Sequence, residues 1–178
     1  MALIGSCSIN MSGLDALGLS AYMLIMTKAE IYTQTAREIA AVLDGETNNV
    51  ARMATVSCLL SEAFDSYFWT GFYVVDPNKT DELVVGPYQG TLGCLRIPFS
   101  RGVCGAAAKT GEVQIVDDVH AFPGHIACDA RSQSEIVVPV YGPDGKLFAV
   151  FDVDSTEVGS FDGVDAAGLA PILEGLIL

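Results

Sequence analysis

Cys94, Cys104 and Cys128 occupy three of the least generic stretches of this chain: GTLGCLRIPF, SRGVCGAAAKTGE and VHAFPGHIACDARSQSEIVVP. Thiols in glycine-punctuated loops, near His120, His125 and several acids, suggest sulfur chemistry more than packing. A nearby imidazole or the Arg131 guanidinium would favour the thiolate of Cys128 and make it a better nucleophile. Zinc is the rival use of these groups, because Cys94, Cys104, Cys128 and one histidine would complete a tetrahedral set. The spacings of ten and then 24 residues contain no Cys-x-x-Cys knuckle, which argues against a metal. Cys58, beside Leu59 and Leu60, reads as a small core residue. Cys7 is assigned nothing.

Two further groups of side chains could meet those thiols. Asp152 and Asp154 alternate along a strand-like run and share a face with Phe148 and Val150. Carboxylates that continue an apolar face are costly without partners, the plain alternative being solvated acids at a strand end. Glu135 begins the preceding strand, so all three acids can converge at one end of a sheet, where an ammonium group would satisfy them. Trp69 and Tyr73, four apart on another strand, also share a face. Gly71 between them would leave a gap for a ligand between two aromatic walls, against the plain alternative of ordinary core rings.

The elements that must position these residues follow from periodicity. Apolar residues recur at three- and four-residue steps from Tyr22 through Ala40, the pattern of an amphipathic helix, and a second helix is expected over Asn49 to Phe64 with Asn48 as its N-cap. Strands are expected over Tyr67 to Val75, Glu82 to Pro87, Val113 to Val116, Glu135 to Val140 and Lys146 to Val153. Asp76-Pro77-Asn78 and Tyr141-Gly142-Pro143-Asp144-Gly145 are turn sequences, the second closing a hairpin between the last two strands. A short helix over Gly102 to Lys109 is stopped by Gly111, and the tail from Asp162 to Leu176 returns to helix. Helices, then strands with inserted loops, then helix imply an α+β fold around a mostly antiparallel sheet.

The 178 residues suit one domain, here residues 21–178, preceded by a loosely ordered N-terminal extension over residues 1–20. Apolar residues make up 51% and charged residues 17%, the balance of a globular protein with a core. Nine basic against 22 acidic residues give a net charge of −13, which opposes binding to nucleic acid and to anionic membranes. The apolar stretch from Leu17 to Met26 is about half the length that crosses a bilayer. No Lys or Arg precedes Lys28, so secretory and transit-peptide patterns are missing and the cytoplasm is expected. Five cysteines suit that reducing compartment better as reactive thiols than as a disulfide framework.

The segments YFWTGFYVVD, LVVGPYQGTLGCLRIPFSRGVCGAAA, VDDVHAFPGHIACDARSQSEIVVPV and FDVDS closely resemble the free methionine (R)-sulfoxide reductases, which are built on a GAF domain. The resemblance runs from about Tyr67 to the C-terminal helix, and the pairing of GHIACD with SEIVVP is not general among GAF domains. It implies a GAF fold and reduction of free L-methionine (R)-sulfoxide to methionine. It further implies that Cys128 attacks the sulfoxide sulfur and becomes a sulfenic acid. Cys94 then resolves it to a disulfide, and Cys104, the third family cysteine, assists resolution or, in some members, is proposed for the attack itself. Trp69 and Tyr73 would flank the methylthio end of the substrate, and Glu135, Asp152 and Asp154 would hold the amino group and polarise the sulfoxide. By the same resemblance no metal or organic cofactor is bound, thioredoxin recycles the disulfide with electrons from NADPH through thioredoxin reductase, and the protein is a homodimer. The competing reading is a sensor module of the same fold that binds a small ligand without chemistry. The end of the chain at Leu178, soon after the last strand, counts against it.

Overall fold

The computed structural model describes residues 26–124 and 129–178. Helix α1 spans Lys28–Val42 and opens on a capping box: the Glu30 amide donates to the Thr27 hydroxyl at 3.3 Å, and the Thr27 amide donates to the Glu30 carboxylate at 2.8 Å. The expected earlier start at Tyr22, like the extension over residues 1–20, lies outside the described residues. Helix α2 spans Asn49–Ala63, and the Asn48 side chain caps it by accepting from the amides of Val50 and Ala51.

Six strands follow, β1 Trp69–Asp76, β2 Lys79–Gln89, β3 Arg96–Pro98, β4 Gln114–Val116, β5 Ser134–Tyr141 and β6 Leu147–Ser155. They form one sheet in the order β3-β2-β1-β6-β5-β4, with every pair antiparallel. Short strands lie at both edges, which limits the backbone open to edge pairing. Strand β3 was not expected, because three residues are too few to show a period. Helix α3, Gly102–Thr110, ends at Gly111, whose φ of 70° is the left-handed conformation that glycine adopts without strain. The last helix, α4, spans Gly163–Leu173 with Asp162 as N-cap. It stops short of the expected Leu176 because Glu174 leaves helical geometry and Gly175 turns to a φ of 67°. Among the described residues no helix is long and apolar enough to cross a membrane.

Strand alternation divides the core between the two faces of the sheet. Phe72, Ile136, Val138, Phe151 and Val153 point to the face covered by α1, α2 and α4. Trp69, Tyr73, Val137 and Val150 point to the other, where α3 supplies Val103, Cys104 and Ala107. Phe148 breaks the expected pattern: it packs with the helix-covered core and not with Val150. The cause is a bulge. Val140 pairs with Ala149 and Tyr141 with Leu147, which leaves Phe148 as an extra residue that reverses the alternation.

Candidate active site

The cavity lies on the α3 side of the sheet and has a volume of about 510 Å³ including its open mouth. Its floor comes from adjacent strands. Antiparallel register sets Glu135 of β5 opposite Asp154 of β6, and Gly71 of β1 opposite Asp152, so the three expected acids do converge at one end of the sheet. Glu135 and Asp152 are buried, and Asp154 is half-buried toward the mouth. Among the described residues no Lys or Arg forms an ion pair with any of them.

Cys104 enters from the first turn of α3, and its thiol donates to Glu135 Oε1 at 3.7 Å. This approach is possible because Gly105 follows. A Cβ on Gly105 would lie 2.5 Å from the Pro98 carbonyl oxygen, so any larger residue would lift α3 off strand β3. Burial and the surrounding carboxylates push the Cys104 thiol well above its ordinary pKa, which keeps it protonated. Burial likewise raises the pKa values of Glu135 and Asp152 well above the carboxylate range, and like-charge repulsion adds to it. Asp154 is pushed up to about 6 by burial, with the Ser132 hydroxyl pulling the other way. One carboxylate oxygen of Asp152, Oδ1, is fully buried and has no hydrogen-bond partner among the described residues.

The aromatic wall is built differently from the expectation. Trp69 stacks directly on Tyr73, ring centroids 5.4 Å apart and planes 20° apart, and on Tyr88 at 5.1 Å and 16°. No gap for a ligand separates the two rings. Gly71 serves a close approach instead, since a Cβ there would lie 2.3 Å from the Tyr88 Cβ and 2.7 Å from its Cα. Both rings still line the cavity, and burial beside the carboxylates holds the Tyr73 phenol protonated as a hydrogen-bond donor.

The loops complete the mouth. Cys94 is disulfide-bonded. Cys58 and Cys104 are free, so the Cys94 partner is not among the described residues. Cys128 and His125, both expected at the site, also lie outside the described residues. The tetrahedral set of Cys94, Cys104, Cys128 and a histidine is not open to a metal in this state, because one of its thiols is oxidised. The expected pairing of Arg131 with the Cys128 thiol falls on a residue outside the described ones. Among described residues Arg131 donates to both carboxylate oxygens of Asp129, at 3.0 and 2.7 Å, and lies over the Phe68 ring at 4.6 Å. The Thr91 hydroxyl also donates to Asp129, at 2.9 Å, and with Arg131 holds that carboxyl well below the usual range. This clasp ties the segment after residue 128 to the loop that carries Cys94. Asp129 and Ser132 line the cavity and were not expected there. The Asp-x-Arg spacing was the one local sign of the first, and Ser132 gave none.

A family model described as GAF domain matches residues 53–176. The chain is similar to the free methionine-R-sulfoxide reductase of Escherichia coli strain K12, with 44% identity over 151 residues, 85% of this chain and 89% of that protein. It is 42% identical over 148 residues to the enzyme of the same description from Saccharomyces cerevisiae, covering 81% of this chain and 82% of the other. Among solved structures, the free methionine-R-sulfoxide reductase from Neisseria meningitidis in complex with its substrate matches with a TM-score of 0.80 and 46% identity. That match covers 85% of this chain and 89% of the other.

Proposed function

The chain belongs to the GAF-domain family of free methionine-R-sulfoxide reductases, and on that footing we propose how this molecule reduces free methionine (R)-sulfoxide to methionine. The observation that carries the reading is the convergence of Glu135, Asp152 and Asp154 in one cavity with no Lys or Arg among the described residues paired to them. Buried acids without a cation of their own suit a ligand that brings one, and the ammonium group of a free amino acid does so. Methionine sulfoxide inside a polypeptide carries an uncharged amide nitrogen in that place. It would leave buried carboxylates uncompensated at a cost on the order of several kcal/mol.

The deeply buried Glu135 and Asp152 hold a proton between them at neutral pH, while Asp154 at the mouth receives the ammonium. The stacked Trp69 and Tyr73 rings face the methylthio end. A sulfoxide oxygen leaves sulfur readily only when protonated, and the Glu135–Asp152 pair supplies that proton. The Cys128 thiolate takes the oxygen, releasing methionine and becoming a sulfenic acid. Cys94 then condenses with Cys128, expelling water and forming a disulfide. That Cys94 is disulfide-bonded supports a resolving role for it. Cys104, kept protonated by its surroundings, acts as a hydrogen-bond donor to Glu135 rather than as the attacking group. Thioredoxin returns both thiols by exchange, with electrons from NADPH through thioredoxin reductase. The cycle needs a reducing compartment, and we place the protein in the cytoplasm as a homodimer.

The test is NADPH consumption with thioredoxin and thioredoxin reductase, offering free L-methionine (R)-sulfoxide, its (S) epimer and an N-acetylated (R) substrate. Turnover of the free (R) compound alone is expected. Cys94→Ser should release about one methionine per protein and then stall. Multiple turnover by Cys94→Ser would reject its resolving role. Tight substrate binding with no turnover, unchanged when all three cysteines are replaced, would favour the sensor reading.

A further inference from the structure

The floor of the cavity contains a second possibility that reduction of a sulfoxide does not require. Cys104 Sγ, a carboxylate oxygen of Glu135 and a carboxylate oxygen of Asp152 all lie within 4.8 Å of one another, and all three residues are buried. Asp152 is 5% exposed and lines the cavity, with its Oδ1 lacking a hydrogen-bond partner among the described residues. We propose that the reduced protein binds one zinc-class divalent ion through Cys104, Glu135 and Asp152, and that this ion excludes substrate and shuts off the reductase. Only the inhibitory half of this inference rests on the function proposed above.

The donor set selects the ion. One thiolate with two carboxylates suits a borderline-soft cation that accepts four ligands, whereas magnesium and calcium require six or more oxygens. Three protein donors leave a fourth position for an exchangeable ligand or water, and all three residues line the cavity from which one could enter. Tetrahedral ligands at about 2.0 to 2.3 Å stand roughly 3.3 to 3.8 Å from one another. Cys104 Sγ and Glu135 Oε1 are already at 3.7 Å, so a closing movement of about an ångström completes the set. Glu135 and Asp152 are fixed by the ladder between neighbouring strands, and Cys104 by the seating of α3 on Pro98. The cation would offset two of the three negative charges of the donor set, and both the Cys104 thiol proton and the proton held between Glu135 and Asp152 would be released to solvent on binding.

The direct experiment titrates cobalt(II), in the presence of a phosphine reductant, into a variant in which Cys7, Cys58, Cys94 and Cys128 are each replaced by serine, leaving Cys104 as its thiol. One equivalent should produce a thiolate-to-cobalt charge-transfer band that zinc abolishes by displacement. Adding Cys104→Ser should remove the band, and adding Asp152→Asn should weaken binding tenfold or more. Absence of the band, or equal affinity in the Asp152→Asn variant, overturns the site. If the serine variant does not fold, the difference spectrum between the reduced natural protein and its Cys104→Ser variant answers the same question. For the inhibitory half, methionine release in a single turnover without thioredoxin is measured with zinc and then with chelator. Loss with zinc and recovery with chelator are expected, and equal release in both overturns inhibition. If chelator-treated protein releases no methionine, the reductase reading and the inhibitory half fall together, while the metal site stands or falls on the cobalt spectrum.

Discussion

Asp165 and Asp152 are both buried aspartates, 1% and 5% exposed, on opposite faces of one sheet. Asp165 receives hydrogen bonds from the Tyr32 hydroxyl at 2.8 Å, from the Lys28 ammonium at 2.7 Å and from the Asp162 amide at 2.7 Å, while Tyr67 in turn bonds Tyr32. It pins α1 to α4 and leaves nothing for a ligand to satisfy. Asp152 faces Glu135, Asp154 and Cys104, with one oxygen unpartnered. Burial of an acid is therefore not by itself a mark of function. The distinguishing fact is whether the chain supplies the neutralising cation, as it does for Asp165, or leaves that role to something that enters the cavity.

The largest expected effect separates the two faces by kinetics. Asp152→Asn should lower kcat/KM at least about a hundredfold while leaving Tm unchanged or raised, because it removes a buried carboxyl that has no cationic partner among the described residues. A variant with near-normal kcat/KM would take Asp152 out of the site and break the comparison. Asp165→Asn should do the reverse, costing about 3 kcal/mol of stability in denaturant melts with kcat/KM retained in the folded protein, because it leaves the Lys28 ammonium and the Asp162 amide without their acceptor. Equal stability of this variant would mean that the polar network does not hold α1 to α4.

Asp154 sharpens the contrast through pH. Its folded pKa of about 6 lies above the unfolded carboxylate value of about 3.9, so the folded state binds the proton more tightly. The resulting stabilisation is complete below the unfolded value and is lost as pH rises through about 6. Asp154→Asn should therefore gain about 2 kcal/mol relative to the natural protein at pH near 8 and nothing near pH 4, after a discount for its partial exposure. In kinetics, kcat/KM should rise through pH 6 as Asp154 ionises to receive the ammonium. A stability difference independent of pH would deny the raised value. The smallest expected effect comes from Gly71→Ala, about 2 kcal/mol of destabilisation from the collision with Tyr88 and a modest rise in KM. If Gly71 instead left room for a ligand, KM alone would change and Tm would not.

Much of this arrangement was legible in the sequence because it obeys short periods. Alternation by two placed Asp152 with Asp154 and Trp69 with Tyr73, and the turn after Tyr141 brought Glu135 beside them. The caps at Asn48 and Asp162 and the stop at Gly111 follow from local side-chain and backbone chemistry, which needs no knowledge of the fold. What was missed depends on partners distant in the chain. Asp129 is placed by Thr91 and Arg131, and the role of Gly71 is visible only once Tyr88 lies across from it. Phe148 was misplaced because a bulge inserts one residue without a composition that announces it. Strand β3 acquires its conformation from pairing with β2 and not from any pattern of its own three residues.

The register that sets Glu135 directly across from Asp154 also bears on the order in which the chain assembles. Like charges opposite one another weaken a hairpin, so β5 and β6 gain little from pairing alone at neutral pH. The β1–β2 hairpin carries Asp76 and Glu82 too, but Arg96 donates to both, at 2.6 and 2.8 Å, and Lys79 bonds Glu82. Its contacts are local and two of its acids, Asp76 and Glu82, have cationic partners, which suits it to nucleate the sheet. The β5–β6 hairpin is then expected to close against a surface already formed. Mild acid, by protonating the opposed carboxyls, should speed this late step, so the pocket that matters for chemistry is the part of the molecule completed last.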